Sequence, residues 1–63
     1  MTGKQVPVVG ETWVNLDHGQ IATIFDVVRD ELAPEIENSI VCLDDGSEQW
    51  RLKEFWPEWK LKD

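Results

Sequence analysis

The chain has one cysteine, Cys42, and one histidine, His18. A lone thiol excludes an internal disulfide, and one Cys with one His excludes a structural zinc site of the usual four-ligand kind. Sixty-three residues hold only six Lys and Arg against thirteen Asp and Glu, a net charge of -7. Nucleic-acid affinity rests on cations that displace phosphate counterions, so this scarcity argues against direct binding of DNA or RNA. No apolar run is long enough to cross a bilayer, and none follows the opening Met1-Thr2-Gly3-Lys4-Gln5 as a secretory leader would. That predicts a soluble, cytoplasmic protein with no membrane partner. Repeats and low-complexity segments are also missing. A chain this short makes one domain with a thin core, because folding at this size buries only about 60% of the surface the unfolded chain exposes.

The charge is unevenly spread. Residues 5–48 carry ten acidic side chains against Arg29 alone, whereas residues 49–63 carry four basic ones against three acidic. A basic partner, or none, suits such a surface, and solubility accounts for much of it.

The organising stretch is 36–55. Ile40-Val41-Cys42-Leu43 is a short, β-branched, apolar run, Trp50-Arg51-Leu52 alternates, and the turn Asp44-Asp45-Gly46-Ser47 lies between them. Glycine can take the positive φ of a tight reversal and Asp can bond nearby amides, so the stretch predicts a β-hairpin. A lone hairpin is marginal in water, and the rest of the chain must add strands to it. Residues 1–9, interrupted by Gly3 and Pro7, read as a loosely ordered lead-in whose Val6, Val8 and Val9 can dock on the domain 10–63. Residues 11–16 form a first strand with Thr12, Val14 and Leu16 on one face and Trp13 and Asn15 on the other. After the reversal Asp17-His18-Gly19-Gln20, residues 21–28 form a second strand. Ile21, Thr23, Phe25 and Val27 are in phase on one face and Ala22, Ile24 and Val28 lie on the other, as in a strand bending through a small barrel. A loop over 29–35 leads to the hairpin. Residues 53–57 form one 3₁₀ turn ended by Pro57, and 58–62 make a last strand with one wet face. The expected core is Val14, Ile21, Phe25, Ile40, Leu43, Trp50, Leu52 and Phe55.

Five short strands, a tight hairpin between the third and fourth, and one helical turn before the fifth make the order of an all-β, SH3-like barrel. Val9-Gly10-Glu11-Thr12-Trp13, Gly19-Gln20-Ile21, Leu43-Asp44-Asp45-Gly46-Ser47 and Trp50-Arg51-Leu52-Lys53-Glu54-Phe55 resemble the pattern of the very small SH3-like proteins of bacteriophages and prophages. The resemblance covers roughly residues 9–61 and implies a fold and a mobile-element origin, but no activity. Gly10, Val14, Gly19 and Ile21 are loosely similar to the opening of KOW domains, which bind RNA or polymerase through basic loops. Here the loops carry Glu11 and Asp17. The hairpin turn is similar to that of Tudor domains, whose aromatic cage holds methylated Lys or Arg. Asp45 stands where those domains usually have an aromatic, and Trp13 reads as a barrel residue packed beside the closing strand.

Catalysis has little to build on. His18 sits in a polar turn with no nucleophile placed near it, and Cys42 lies in an apolar strand with no cation to lower its pKa. Asp30-Glu31 and Asp44-Asp45 are neighbours in solvated loops, without the alternate spacing of a calcium loop. These features predict a non-enzyme with no metal and no cofactor. The aromatic residues point elsewhere. Trp50, Trp56 and Trp59 fall with Phe55 in the last fourteen residues, more than a thin core needs. If Trp50, Leu52 and Phe55 point inward, Trp56 is left on an exposed turn before Pro57, ringed by Lys53, Glu54 and Glu58, or else folds over residues 6–9. An exposed Trp in a charged rim has the form of an interface anchor. The chain therefore reads as a protein-interaction module, monomeric or weakly dimeric through a barrel edge. The alternative is an acidic decoy that imitates nucleic-acid phosphates with Glu35, Glu37, Asp44, Asp45 and Glu48 and so blocks a DNA- or RNA-binding factor.

Overall fold

The computed structural model describes residues 5–62. The start of the lead-in, residues 1–4, lies outside the described residues. The chain runs β1 (Thr12–Asn15), β2 (Ile21–Val28), a 3₁₀ turn (Ile36–Asn38), β3 (Ile40–Leu43), β4 (Glu48–Arg51), α1 (Leu52–Glu58) and β5 (Trp59–Leu61). The five strands form one antiparallel sheet in the order β4-β3-β2-β1-β5. This is a small all-β, barrel-like fold. Consecutive antiparallel connections generate three of the four neighbour pairs, and α1 carries the chain back so that the last strand pairs with the first. The two ends of the strand order face each other through side chains: the rings of Trp50 on β4 and Trp59 on β5 meet edge to face, 5.8 Å between centroids.

The helical segment expected before the last strand is present, and it is seven residues of α-helix with Pro57 in its final turn. Pro57 has no N–H to return to the Lys53 carbonyl, which weakens the turn it sits in, and the helix ends just beyond it, where the Trp59 N–H donates to the Phe55 carbonyl. The helical period changes which residues share a face. Leu52, Phe55, Trp56 and Trp59 follow the spacing i, i+3, i+4, i+7 and form one apolar stripe. Leu52, Phe55 and Trp59 are fully buried, and Trp56, at the edge of the stripe, is half-buried against the core.

The core comprises Trp13, Ala22, Ile24, Val41, Leu43, Leu52, Phe55 and Trp59. Of the expected core, Leu43, Leu52 and Phe55 are buried and Trp50 and Ile40 half-buried, but Val14 is only half-buried and Ile21 and Phe25 are 56% and 54% exposed. The inverted phase has a physical cause. Ile24 pairs with Leu43, and directly paired residues share a face, so an inward Leu43 brings Ile24 inward with it. The ladder then shifts, Asp26 pairing with Cys42, and Phe25 is the extra residue of a β-bulge. Its ring lies outside, over the β3–β4 turn, where a Cβ on Gly46 would come within 3.2 Å of it. Gly46 also has φ 89°, so two constraints select glycine there. Past the bulge the phase is reversed, and Val27 packs toward the core that Ala22 and Ile24 face from the other side of the kink. A strand apolar on both faces permits this, and β2 bends to serve both halves of the barrel.

The connections are closed by short side chains. Asn15, buried at the end of β1, accepts the N–H groups of Asp17 and His18 on Oδ1, each at 2.9 Å. Glu11 Oε1 accepts the Val8 N–H at 2.8 Å and the Trp13 indole N–H at 3.2 Å, which ties the lead-in to β1. Residues 5–9 have no regular secondary structure, yet Pro7 is buried. The 29–38 loop is held by Arg29, which donates to the Pro34 carbonyl at 2.9 Å, and by Arg51, which donates to the Asn38 carbonyl at 3.2 Å. No helix among the described residues is long and apolar enough to cross a membrane.

Candidate functional site

Three elements converge beside the helix. The lead-in supplies Val6, the 3₁₀ turn Ile36 and Glu37, and α1 Lys53 and Trp56, which together line a groove of about 430 Å³. The helix sets Lys53 and Trp56 three residues apart, hence on adjoining faces. The 3₁₀ turn is fixed against α1 through Ser39, whose N–H donates to the Ile36 carbonyl at 3.0 Å while its own carbonyl accepts the Leu52 N–H at 2.7 Å. The Trp56 indole N–H donates to the Gln5 carbonyl at 2.6 Å, which orients the ring and draws the lead-in over it. Trp56 is therefore no free-standing ring on an exposed turn. It is half-buried, packed on the core from one side and forming the groove floor on the other. The reading of 53–57 as one 3₁₀ turn kept Trp56 off the face of Phe55, whereas the α-helix puts the two side by side.

Of the residues expected around Trp56, Lys53 lines the groove, while Glu54 and Glu58 are exposed on the helix outside the lining. Val6 and Ile36 complete the apolar floor. Val6 was visible as an apolar residue able to dock, but nothing in the sequence spacing put Ile36 beside Trp56, twenty residues on, because that proximity follows from the chain's return through β3 and β4.

The five acidic residues of the alternative surface do not form one array. Glu35 precedes and Glu37 lies within the 3₁₀ turn ahead of β3, and Asp44 and Asp45 follow the far end of that strand. Asp44 has φ 58° and accepts the Thr23 N–H at 3.2 Å, which docks the turn on β2. Asp45 is held below the ordinary carboxylate range by bonds from Ser47, first from its side chain and then from its backbone N–H. Glu48 is half-buried and used internally: Oε1 accepts Gln20 Nε2 at 2.9 Å and Oε2 accepts the Trp50 indole N–H at 3.0 Å. Those bonds, Gln20 first, hold its carboxyl below the usual Glu value against the opposing effect of burial. A folded pKa below the unfolded one stabilises the fold above the unfolded value, and the gain disappears as pH falls through the folded value. Glu48→Gln should therefore lower stability at neutral pH by about 1–3 kcal/mol, with the gap to the parent closing as pH falls through the lowered Glu48 value. Urea titrations at several pH values measure this, and a pH-independent gap would show that the carboxylate's charge is immaterial.

The remaining titratable candidates are dispersed. His18 is exposed and meets Asp17 at 3.3 Å. Cys42 is buried, and burial, with the Asp26 carboxylate across the ladder as a second cause, pushes its thiol up, away from nucleophilic thiolate. Among the described residues no group of three or more His, Cys, Asp or Glu gathers where it could hold a metal ion.

The fold and groove define the chain as a small antiparallel β-barrel domain with an apolar, charge-rimmed depression at its helix. No family model, curated protein or solved structure matches the chain.

Proposed function

We propose that this protein is a non-enzymatic protein-interaction module, encoded by a bacteriophage or prophage and acting in the cytoplasm, which holds a segment of a protein partner over Trp56. The groove carries this reading: an aromatic floor extended by Val6 and Ile36, with Lys53 and Glu37 at its edge. A large ring surrounded by polar groups that exclude water is the usual build of an interface hot spot. The module presents no direct nucleic-acid surface, since Lys53, Lys60 and Lys62 are interleaved with Glu54 and Glu58. The phage origin rests on the likeness of the turn and strand motifs alone.

Quantitative affinity capture from a host lysate tests the reading. The parent should retain a partner that Trp56→Ala loses about tenfold or more, as truncated interface Trp anchors commonly do. Leu32→Ser is the control, because Leu32 is 97% exposed on the 29–38 loop and outside the groove lining. Because Trp56 also packs on the core, melting curves of each variant must show folded protein at the capture temperature. Capture that survives Trp56→Ala but is abolished by added salt and by neutralising Asp44 and Asp45 would overturn the groove reading in favour of an acidic decoy.

A further inference from the structure

The chemistry around the groove specifies the class of segment it receives. One wall, the 3₁₀ turn, brings Glu37 into the lining and Glu35 directly before it; the other, α1, brings Lys53 into the lining and Glu54 beside it. Among the described residues that is three carboxylates against one ammonium. Among the described residues, Arg29 is engaged on the Pro34 carbonyl and Arg51 on the Asn38 carbonyl and, at 3.8 Å, on Asp30. Glu37, by contrast, makes no hydrogen bond or ion pair among the described residues, and its carboxylate borders an apolar floor. The approach is acidic too, since residues 26–37 carry Asp26, Asp30, Glu31, Glu35 and Glu37 with Arg29 as the only cation. Such a field attracts cationic chains and repels phosphates and anionic lipid surfaces.

We propose that the occupant of the groove is a basic, amphipathic segment of a partner protein. One bulky apolar side chain rests on Trp56, Val6 and Ile36, and an adjacent Lys or Arg pairs with Glu37 and Glu35. This rests on the reading of the groove as the binding surface. It adds the charge and pattern of the ligand, which the groove's apolar floor alone leaves open.

The experiment is a selection of random dodecapeptides displayed on phage against the full chain, with counter-selection on Trp56→Ala and, because that ring also supports the core, on Ile36→Gln at an exposed position. Binders that depend on both residues should be enriched in Lys or Arg within a few positions of Leu, Phe or Trp. A fluorescein-labelled peptide made from the strongest of them should lose about tenfold or more in affinity to Glu35→Lys/Glu37→Lys, read by fluorescence anisotropy, and should weaken with added salt. Groove-dependent binders that are neutral or acidic, or that are indifferent to the double charge reversal, overturn the inference and leave the groove standing as the binding surface. Failure to select any groove-dependent binder overturns both.

Discussion

Phe55→Ala should bring this domain to the edge of unfolding at room temperature. Phe55 is 0% exposed, stacks on Trp59 at 5.3 Å with ring planes 8° apart, and meets Trp13 at 5.1 Å in a tilted contact. Its ring thus joins the helix to both β1 and β5, neighbouring strands of the sheet. Truncating a buried Phe removes the transfer free energy of the ring and leaves a cavity that aromatic neighbours cannot fill by small shifts, at about 3–5 kcal/mol. Total stability at about 0.05–0.15 kcal/mol per residue comes to about 3–9 kcal/mol for a chain of this length. The loss is therefore a large fraction of the whole. Urea denaturation followed by circular dichroism gives the value, and a loss below about 1 kcal/mol would place Phe55 outside the core. Leu52→Ala, one turn earlier on the same stripe and equally buried, should cost about 2–5 kcal/mol.

The second large effect distinguishes the two faces of β2. Ile24→Ala should cost about 2–5 kcal/mol, because Ile24 is 1% exposed and packs with Leu43 across the ladder. Ile21→Ala, at a position 56% exposed, should cost under about 1 kcal/mol. The two changes delete the same atoms from the same strand three residues apart, so intrinsic β-propensity cancels and only burial differs. A reversed ranking would mean that β2 presents Ile21 and Phe25 to the core and that no bulge lies at Phe25.

The comparison of Ile24 with Ile21 shows where sequence reading stops. Alternation can assign a face only when one face is polar, and β2 offers Ile21 and Phe25 on one side and Ala22 and Ile24 on the other. On β1, Thr12, Val14 and Leu16 outnumber Trp13, yet a single indole buries more apolar surface than its rivals and is the residue that reaches Phe55. Asn15 shares the buried face with Trp13 because its side chain is needed to close the turn, a role that hydrophobicity does not register. The bulge is invisible in the sequence. It exists only because β2 must pair with β1 and β3 at once, and it is what reverses the phase between Ile24 and Val27.

By itself the sequence determined the class of the protein: five short strands, the Asp44–Ser47 reversal, the helical break before the last strand, and an acidic composition. These are local matters, decided by turn chemistry, β-branched runs and composition, and they hold whatever the strands pack against. The tertiary structure alone decided which face of each strand is the core, whether the segment before Pro57 is a helix, and what stands beside Trp56. Helical geometry moved Trp56 from an isolated position to the edge of the Leu52–Phe55–Trp59 stripe, and the return of the chain through β3 and β4 brought Ile36 and Glu37 to it. Those contacts join residues distant in the sequence, and their energies depend on the whole packed arrangement rather than on any neighbouring stretch of chain.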